Sequence, residues 1–239
     1  MSIRKIIFTS ILLSFFSLQL FAEVSIVFSP GIAYLYGDIG GTRAGTKKFD
    51  DFELKSTRYM LGGGILHRYS ETFSHRINFA FGNFTAFDNE GTRLERRGYG
   101  YDTQLFQAWW QPEFTLLKNP SRTGGLYLFS GVGLVHSKSN LKGSPLRPYD
   151  LVKKTETALL VPLGIGYRAA VSENITLGVE AVAYYYFSDY IDGVSTKWSK
   201  DNDAVGAVLL TFSYKIFDSD GGERRPKRVK IKNNFRCDF

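Results

Sequence analysis

Between Glu23 and Phe217 the chain repeats one pattern, apolar residues at every second position, in segments at roughly 23–37, 57–69, 73–87, 101–117, 124–137, 155–171, 174–189 and 204–217. Side chains alternate across a strand, whereas a helix repeats its faces every 3.6 residues, so this pattern fits strands and misfits helices. The clearest case is "NITLGVEAVAYYYF". There Ile175, Leu177, Val179, Ala181, Ala183, Tyr185 and Phe187 share one face, and Thr176, Gly178, Glu180, Val182, Tyr184 and Tyr186 the other. No stretch after Glu23 carries a convincing helical period, and the predicted class is all-β.

The connections alternate in length. "SET" near Ser70, "KNPSRT" from Lys118 and "SE" at Ser172 read as tight turns, while "DIGGTRAGTKKFDDFELKS", "NEGTRLERRGYG", "KSNLKGSPLRPYDLVKK" and "YIDGVSTKWSKDND" read as long polar loops. An even number of strands, short turns at one end and long loops at the other describe an eight-stranded antiparallel transmembrane β-barrel, with periplasmic turns and extracellular loops. A soluble eight-stranded barrel shows the same alternation with the faces exchanged, apolar inside and polar outside. The two differ in what the second face must tolerate.

On that second face the alternation places Arg76, Asn78, Gln107, Gln111, Glu113, Arg168, Glu180, Thr211, Ser213 and Lys215, with many glycines among them. Eight strands enclose a lumen just wide enough for side chains to fill, so no aqueous channel is expected. A buried charge without a partner is expensive there. Arg76, Glu113, Arg168 and Glu180 are therefore expected to form a lumen ion-pair network. On the lipid face Trp110, Tyr185, Phe187, Phe212 and Tyr214 are candidates for interfacial aromatic girdles.

The two ends do not belong to the barrel. Arg4 and Lys5, an apolar run from Ile6 to Leu20 and "LFA" ending at Ala22 have the order of a secretory signal peptide, assigned to residues 1–22. The barrel takes residues 23–217, and a basic tail takes 218–239. With an even strand count both termini lie on the periplasmic side, so the tail is expected there. It is too charged to form a core, but "RVKIKNNF" alternates basic with apolar residues, a pattern suited to adding a strand to a partner's sheet edge. Arg224, Arg225, Lys227, Arg228, Lys230 and Lys232 are the candidate docking residues. Cys237, the only cysteine, has no internal partner and is a candidate for an intermolecular disulfide in an oxidising compartment.

Enzyme signatures are sparse. His67, His75 and His136 fall in separate predicted strands without metal-ligand spacing, and no glycine-rich phosphate loop follows a strand, so no metal site or cofactor is expected. "VHSKSN" sets His136 beside Ser137 and Ser139, with Glu156 across a loop, which raises a lipid-acting hydrolase as an alternative. Strand alternation argues against it, since one- and three-residue separations put the side chains on opposite faces. The long loops mix both charge signs, so neither nucleic acid nor a small-molecule substrate is an expected partner, and outer-membrane lipids are.

The signal peptide, "PGIAYLYGDIGGT" leading out of the first strand, "YDTQLFQAWWQPEFTLL" in the middle, and an aromatic last strand continued by a tail together resemble the PorG-like outer-membrane barrel proteins of the type IX secretion system. The resemblance implies a non-enzymatic outer-membrane component associated with periplasmic ring subunits that include an outer-membrane lipoprotein, with no catalytic residues to carry over. It gives the tail a purpose, docking on that ring through residues 223–239. The second reading is a small surface barrel acting in adhesion or membrane integrity through its extracellular loops.

Overall fold

The computed structural model describes residues 23–37, 57–88, 98–118, 124–143, 151–195 and 202–217. The segments assigned to the signal peptide and the basic tail, with the candidate docking cations and Cys237, lie outside the described residues. The long strands are β1 (Glu23–Tyr36), β2 (Arg58–Arg68), β3 (Phe73–Phe87), β4 (Tyr99–Lys118), β5 (Gly124–Ser130), β6 (Val132–Gly143), β8 (Thr155–Ala170), β9 (Ile175–Tyr186) and β11 (Ala204–Phe217); β7 (Leu151–Val152) and β10 (Val194–Ser195) are two-residue strands.

All pairings are antiparallel. β1 bonds to β2 on one side and to β11 on the other, and the ring runs β1, β2, β3, β4, then β5 with β6, then β8, β9 and β11. β5 and β6 are two lengths of one stave, since both pair with β4 and both with β8. The result is a closed eight-stave barrel without a free edge. The ladder breaks at Gly131, where a Cβ would lie 2.2 Å from the Trp110 carbonyl oxygen and 3.2 Å from Pro162 Cγ. Pro162 has no N–H to offer the ladder at this point.

The faces decide between lipid and water. Phe28, Ile65, Phe79, Leu134, Leu163 and Leu210 point outward, each half or more exposed, while Arg76, Gln107, Gln111 and Glu113 are no more than 3% exposed inside. A soluble barrel would reverse this arrangement, so the barrel is of the transmembrane, outer-membrane type. The aromatic residues expected in the girdles, Trp110, Tyr185, Phe187, Phe212 and Tyr214, all face outward. Above the apolar belt the outer face turns polar. Asp102, bonded to Thr85 at 2.7 Å and ion-paired with Lys142, stands where β4 and β6 approach the loop rim.

The tight turns at residues 69–72 and 171–174 are closed in the same way. Ser70 Oγ accepts from the Phe73 amide at 3.0 Å, and Ser172 Oγ from the Ile175 amide at 3.1 Å. The start of β1 and the end of β11 sit at this same turn rim, with Val24 opposite Phe217 and Glu23 opposite Arg68.

Two expectations about the loops need correction. The fifth stave runs on to Gly143 instead of ending near residue 137, because Lys138–Gly143 stay in register with Tyr99–Gln104 of β4. The loop after β9 is not wholly solvated either. Ile191, Asp192 and Val194 are completely buried, and β10 pairs with β7 from the preceding loop.

Inside the wall, small residues make room for rings. Tyr127 lies across from Gly166, where a Cβ would come 2.4 Å from the ring, and Phe129 lies across from Gly164. Gly166→Val is expected to destabilise the barrel by about 1–3 kcal/mol through overpacking, because Tyr127 is held by Glu180 and cannot swing away freely. Gly206→Ala, whose added Cβ meets its nearest atom at 3.4 Å, is the tolerated control. Equal denaturation midpoints for the two variants in refolding titrations would overturn this account of the interior.

Candidate functional site

The interior is the most heavily built part of the molecule. Near the turn rim, inward positions of β3, β4, β8 and β9 bring Arg76, Glu113, Arg168 and Glu180 into one cluster. Arg76 Nη2 lies 2.5 Å from Glu180 Oε1, Arg76 Nε faces Glu113 Oε1 at 3.2 Å without hydrogen-bond alignment, and Arg168 Nη2 lies 2.8 Å from Glu113 Oε2. Two positive and two negative groups thus meet in a buried site, and a low local dielectric makes each dependent on the others.

Neutral groups complete the cluster. Ser74 Oγ donates to Glu113 Oε2 at 3.2 Å and Gln111 Nε2 to Glu113 Oε1 at 3.2 Å, while the Tyr127 hydroxyl donates to Glu180 Oε1 at 2.5 Å. The Arg168 guanidinium also stacks on the Tyr127 ring, 3.9 Å from its centroid. Tyr127 was not singled out from the sequence. The signal available was its alternation with Leu126 and Leu128, which puts it on the lumen side. At the rim itself Arg68 binds both carboxylate oxygens of Glu23, at 3.0 and 3.1 Å.

Further up the axis, Gln111 Oε1 accepts from both Asn78 Nδ2 (3.1 Å) and Trp109 Nε1 (2.8 Å), and Gln107 Nε2 donates to the Tyr186 hydroxyl at 2.8 Å. Trp109 meets Tyr184 edge to face, with centroids 5.3 Å apart. Met60, Phe84, Leu105, Val135, Leu160 and Val205 fill the next layer. Residues 190–195, after β9, then turn into the mouth. Asp203 Oδ2 accepts from the Ile191 amide at 2.8 Å and more weakly from that of Asp192 at 3.4 Å, while Asp192 Oδ1 accepts from Val194 N. Ser139, bonded to Thr103 at 2.7 Å, donates to the Ile191 carbonyl at 3.0 Å. Gly193 turns the chain with φ +93°, a conformation natural to glycine. Side chains therefore occupy the axis from the ionic cluster to the covered mouth.

The hydrolase arrangement is not assembled. His136 faces outward and bonds Thr157 Oγ1 at 2.8 Å, whereas Ser137 and Ser139 are buried on the lumen side. Glu156 is engaged by Lys153 at 3.0 Å and Ser188 at 3.2 Å. Among the described residues no three His, Cys, Asp or Glu side chains converge as metal ligands.

The family model described as "Domain of unknown function (DUF6089)" matches residues 4–205. The chain belongs to this family. The matched range of this DUF6089 barrel takes in the whole ionic cluster and the layers above it, up to Val205 on β11. No curated protein matches it in sequence. Among solved structures it is similar to Ail, the attachment invasion locus protein of Yersinia pestis, in complex with the heparin analogue sucrose octasulfate: 13% identity, 82% of this chain, 99% of that one, TM-score 0.44. It is also similar to Neisserial surface protein A, with 12% identity, 82% and 99% coverage and TM-score 0.45. AlkL in DMPC lipid bilayers gives 13%, 84%, 93% and 0.43. At these values the likeness of the DUF6089 barrel to them is one of general form.

Proposed function

We propose that this barrel is a non-catalytic anchor in the outer membrane, working through what it holds at its rims and not by passing solute along its axis. The observation that supports this most is the occupied lumen, with the Arg76–Glu113–Arg168–Glu180 cluster below and the Asp203-held segment above. An interior so filled has structural work to do and leaves no conduit.

The finer reading follows the resemblance to PorG-like proteins of the type IX secretion system. Residues 223–239 dock on a periplasmic ring that contains an outer-membrane lipoprotein, with Arg224, Arg225, Lys227, Arg228, Lys230 and Lys232 meeting acidic surface and Cys237 available for a disulfide to it. The turn rim supports this geometry. Phe217, from which the tail departs, pairs with Val24 at that rim, and short turns face the periplasm in outer-membrane barrels.

The test compares the full chain with one ending at Phe217, both extracted from outer membranes in mild detergent. The expected result is capture of periplasmic subunits by the full chain only, weakened by salt and by charge reversal at Arg224, Arg225, Lys227 and Arg228. Cys237→Ser is expected to remove any reduction-sensitive high-mass band. Equal capture by both chains would remove the tail from the mechanism. Steady ion conductance through the intact barrel in planar bilayers would contradict the anchor reading as a whole.

A further inference from the structure

We propose that His67 and His75 form a binding site for a divalent transition metal ion of the imidazole-preferring class, Zn2+, Cu2+ or Ni2+, on the outer wall at the turn rim. The two residues lie in different strands and eight positions apart in the sequence, a spacing that carries no metal signature. The hairpin register makes them direct partners, His67 of β2 opposite His75 of β3. Both side chains point outward, and their ring centroids are 5.3 Å apart with planes inclined by 44°.

That separation suits one ion held between them. With a metal–nitrogen bond of about 2.1 Å, an imidazole centroid stands roughly 3.2 Å from the ion, so centroids 5.3 Å apart subtend about 110°, near the tetrahedral angle. Neither ring has a hydrogen-bonding partner among the described residues; each makes ring contacts. Two half-buried imidazoles side by side, neither hydrogen-bonded to a described residue, can each offer a nitrogen lone pair to one ion.

Aromatic rings flank the pair. Tyr69 meets His67 edge to face with centroids 4.5 Å apart and lies 5.1 Å from His75, while Trp110 stands 6.3 Å from His75 on the other side. These aromatics flank the two imidazoles at the turn rim. The two imidazoles supply half of a tetrahedral shell, and water or a phosphodiester oxygen of the head groups completes it. Bound there, the ion clips β2 to β3 beside the 69–72 turn.

Trp110 makes the proposal testable, because bound Cu2+ quenches a nearby indole. Purified full-length protein, folded in detergent, is titrated with CuCl2 alone while tryptophan fluorescence is followed, and ZnCl2 is then added as competitor. Saturable quenching is expected, reversed by Zn2+ only in large excess, because Cu2+ binds imidazole more tightly. His67→Ala and His75→Ala are each expected to weaken it about tenfold or more, since losing a ligand costs at least as much as losing its supporting contacts. His136→Ala, on the same outer wall but bonded to Thr157, is expected to behave as the native chain. Intact β-sheet circular dichroism in each variant guards against misfolding, and copper electron paramagnetic resonance of the native protein is expected to show two nitrogen ligands. Absence of saturable quenching, or equal quenching in the native chain and the His67→Ala/His75→Ala double variant, would falsify the site.

Discussion

Glu113→Ala is expected to lower the unfolding free energy of the barrel by about 3–5 kcal/mol, the cost of stranding buried charge. Glu113 is 1% exposed and is the carboxylate that faces both arginines, Arg168 at 2.8 Å and Arg76 at 3.2 Å. Its removal leaves Arg76 with Glu180, but among the described residues Arg168 keeps only the face of Tyr127. Glu113→Gln preserves the shape and part of the bonding to Ser74 and Gln111, so its cost should be smaller and due mainly to the lost charge. Reversible urea titration in phospholipid vesicles gives these values directly. A Glu113→Ala, Arg168→Ala double-mutant cycle should then recover part of the loss, because the stranded cation is removed as well. Additive costs in that cycle would mean the two groups do not interact as their geometry requires.

Asp203→Ala should release the cover of the loop-rim mouth while leaving the wall intact. One carboxylate oxygen accepts from the buried amides of Ile191 and Asp192, and an amide left buried without an acceptor costs about 1–3 kcal/mol. Residues 190–195 are therefore expected to lose amide-exchange protection by one to two orders of magnitude at roughly 1.4 kcal/mol per tenfold, with protection in β3 and β4 unchanged. Asp203→Asn retains an acceptor oxygen and should rescue most of the effect. The variant should still not conduct ions, because the Arg76–Glu113 cluster lies below the cover. Unchanged exchange at Ile191 would show that Asp203 does not hold the segment.

The inner face was legible for a simple reason. Alternation by two assigns every residue of a strand to one of two sides, so Arg76, Glu113, Arg168 and Glu180 were placed together without knowing the partners of any strand. Which of them would touch was another matter. The contacts depend on height along the axis, set by strand stagger, and on the rings between them; Tyr127 reaches Glu180 and Arg168 because Gly166 leaves room for its ring.

The loop after β9 shows where composition misleads. "YIDGVSTKWSKDND" is polar enough to read as solvated, yet Asp192 and Asp203 are buried because their oxygens serve backbone amides within the fold. Polar side chains that satisfy a turned-in backbone look the same, in sequence, as polar side chains in water.

By itself the sequence determined that the chain is all-β, that its staves number eight, and which side chains face lipid and which face the axis. These are local properties, written in a two-residue period and in the spacing of turns. The tertiary structure alone decided the pairwise geometry: the ionic cluster, the covered mouth, and the meeting of His67 with His75. Those contacts follow from register and closure, which join residues distant along the chain, and no local period encodes them.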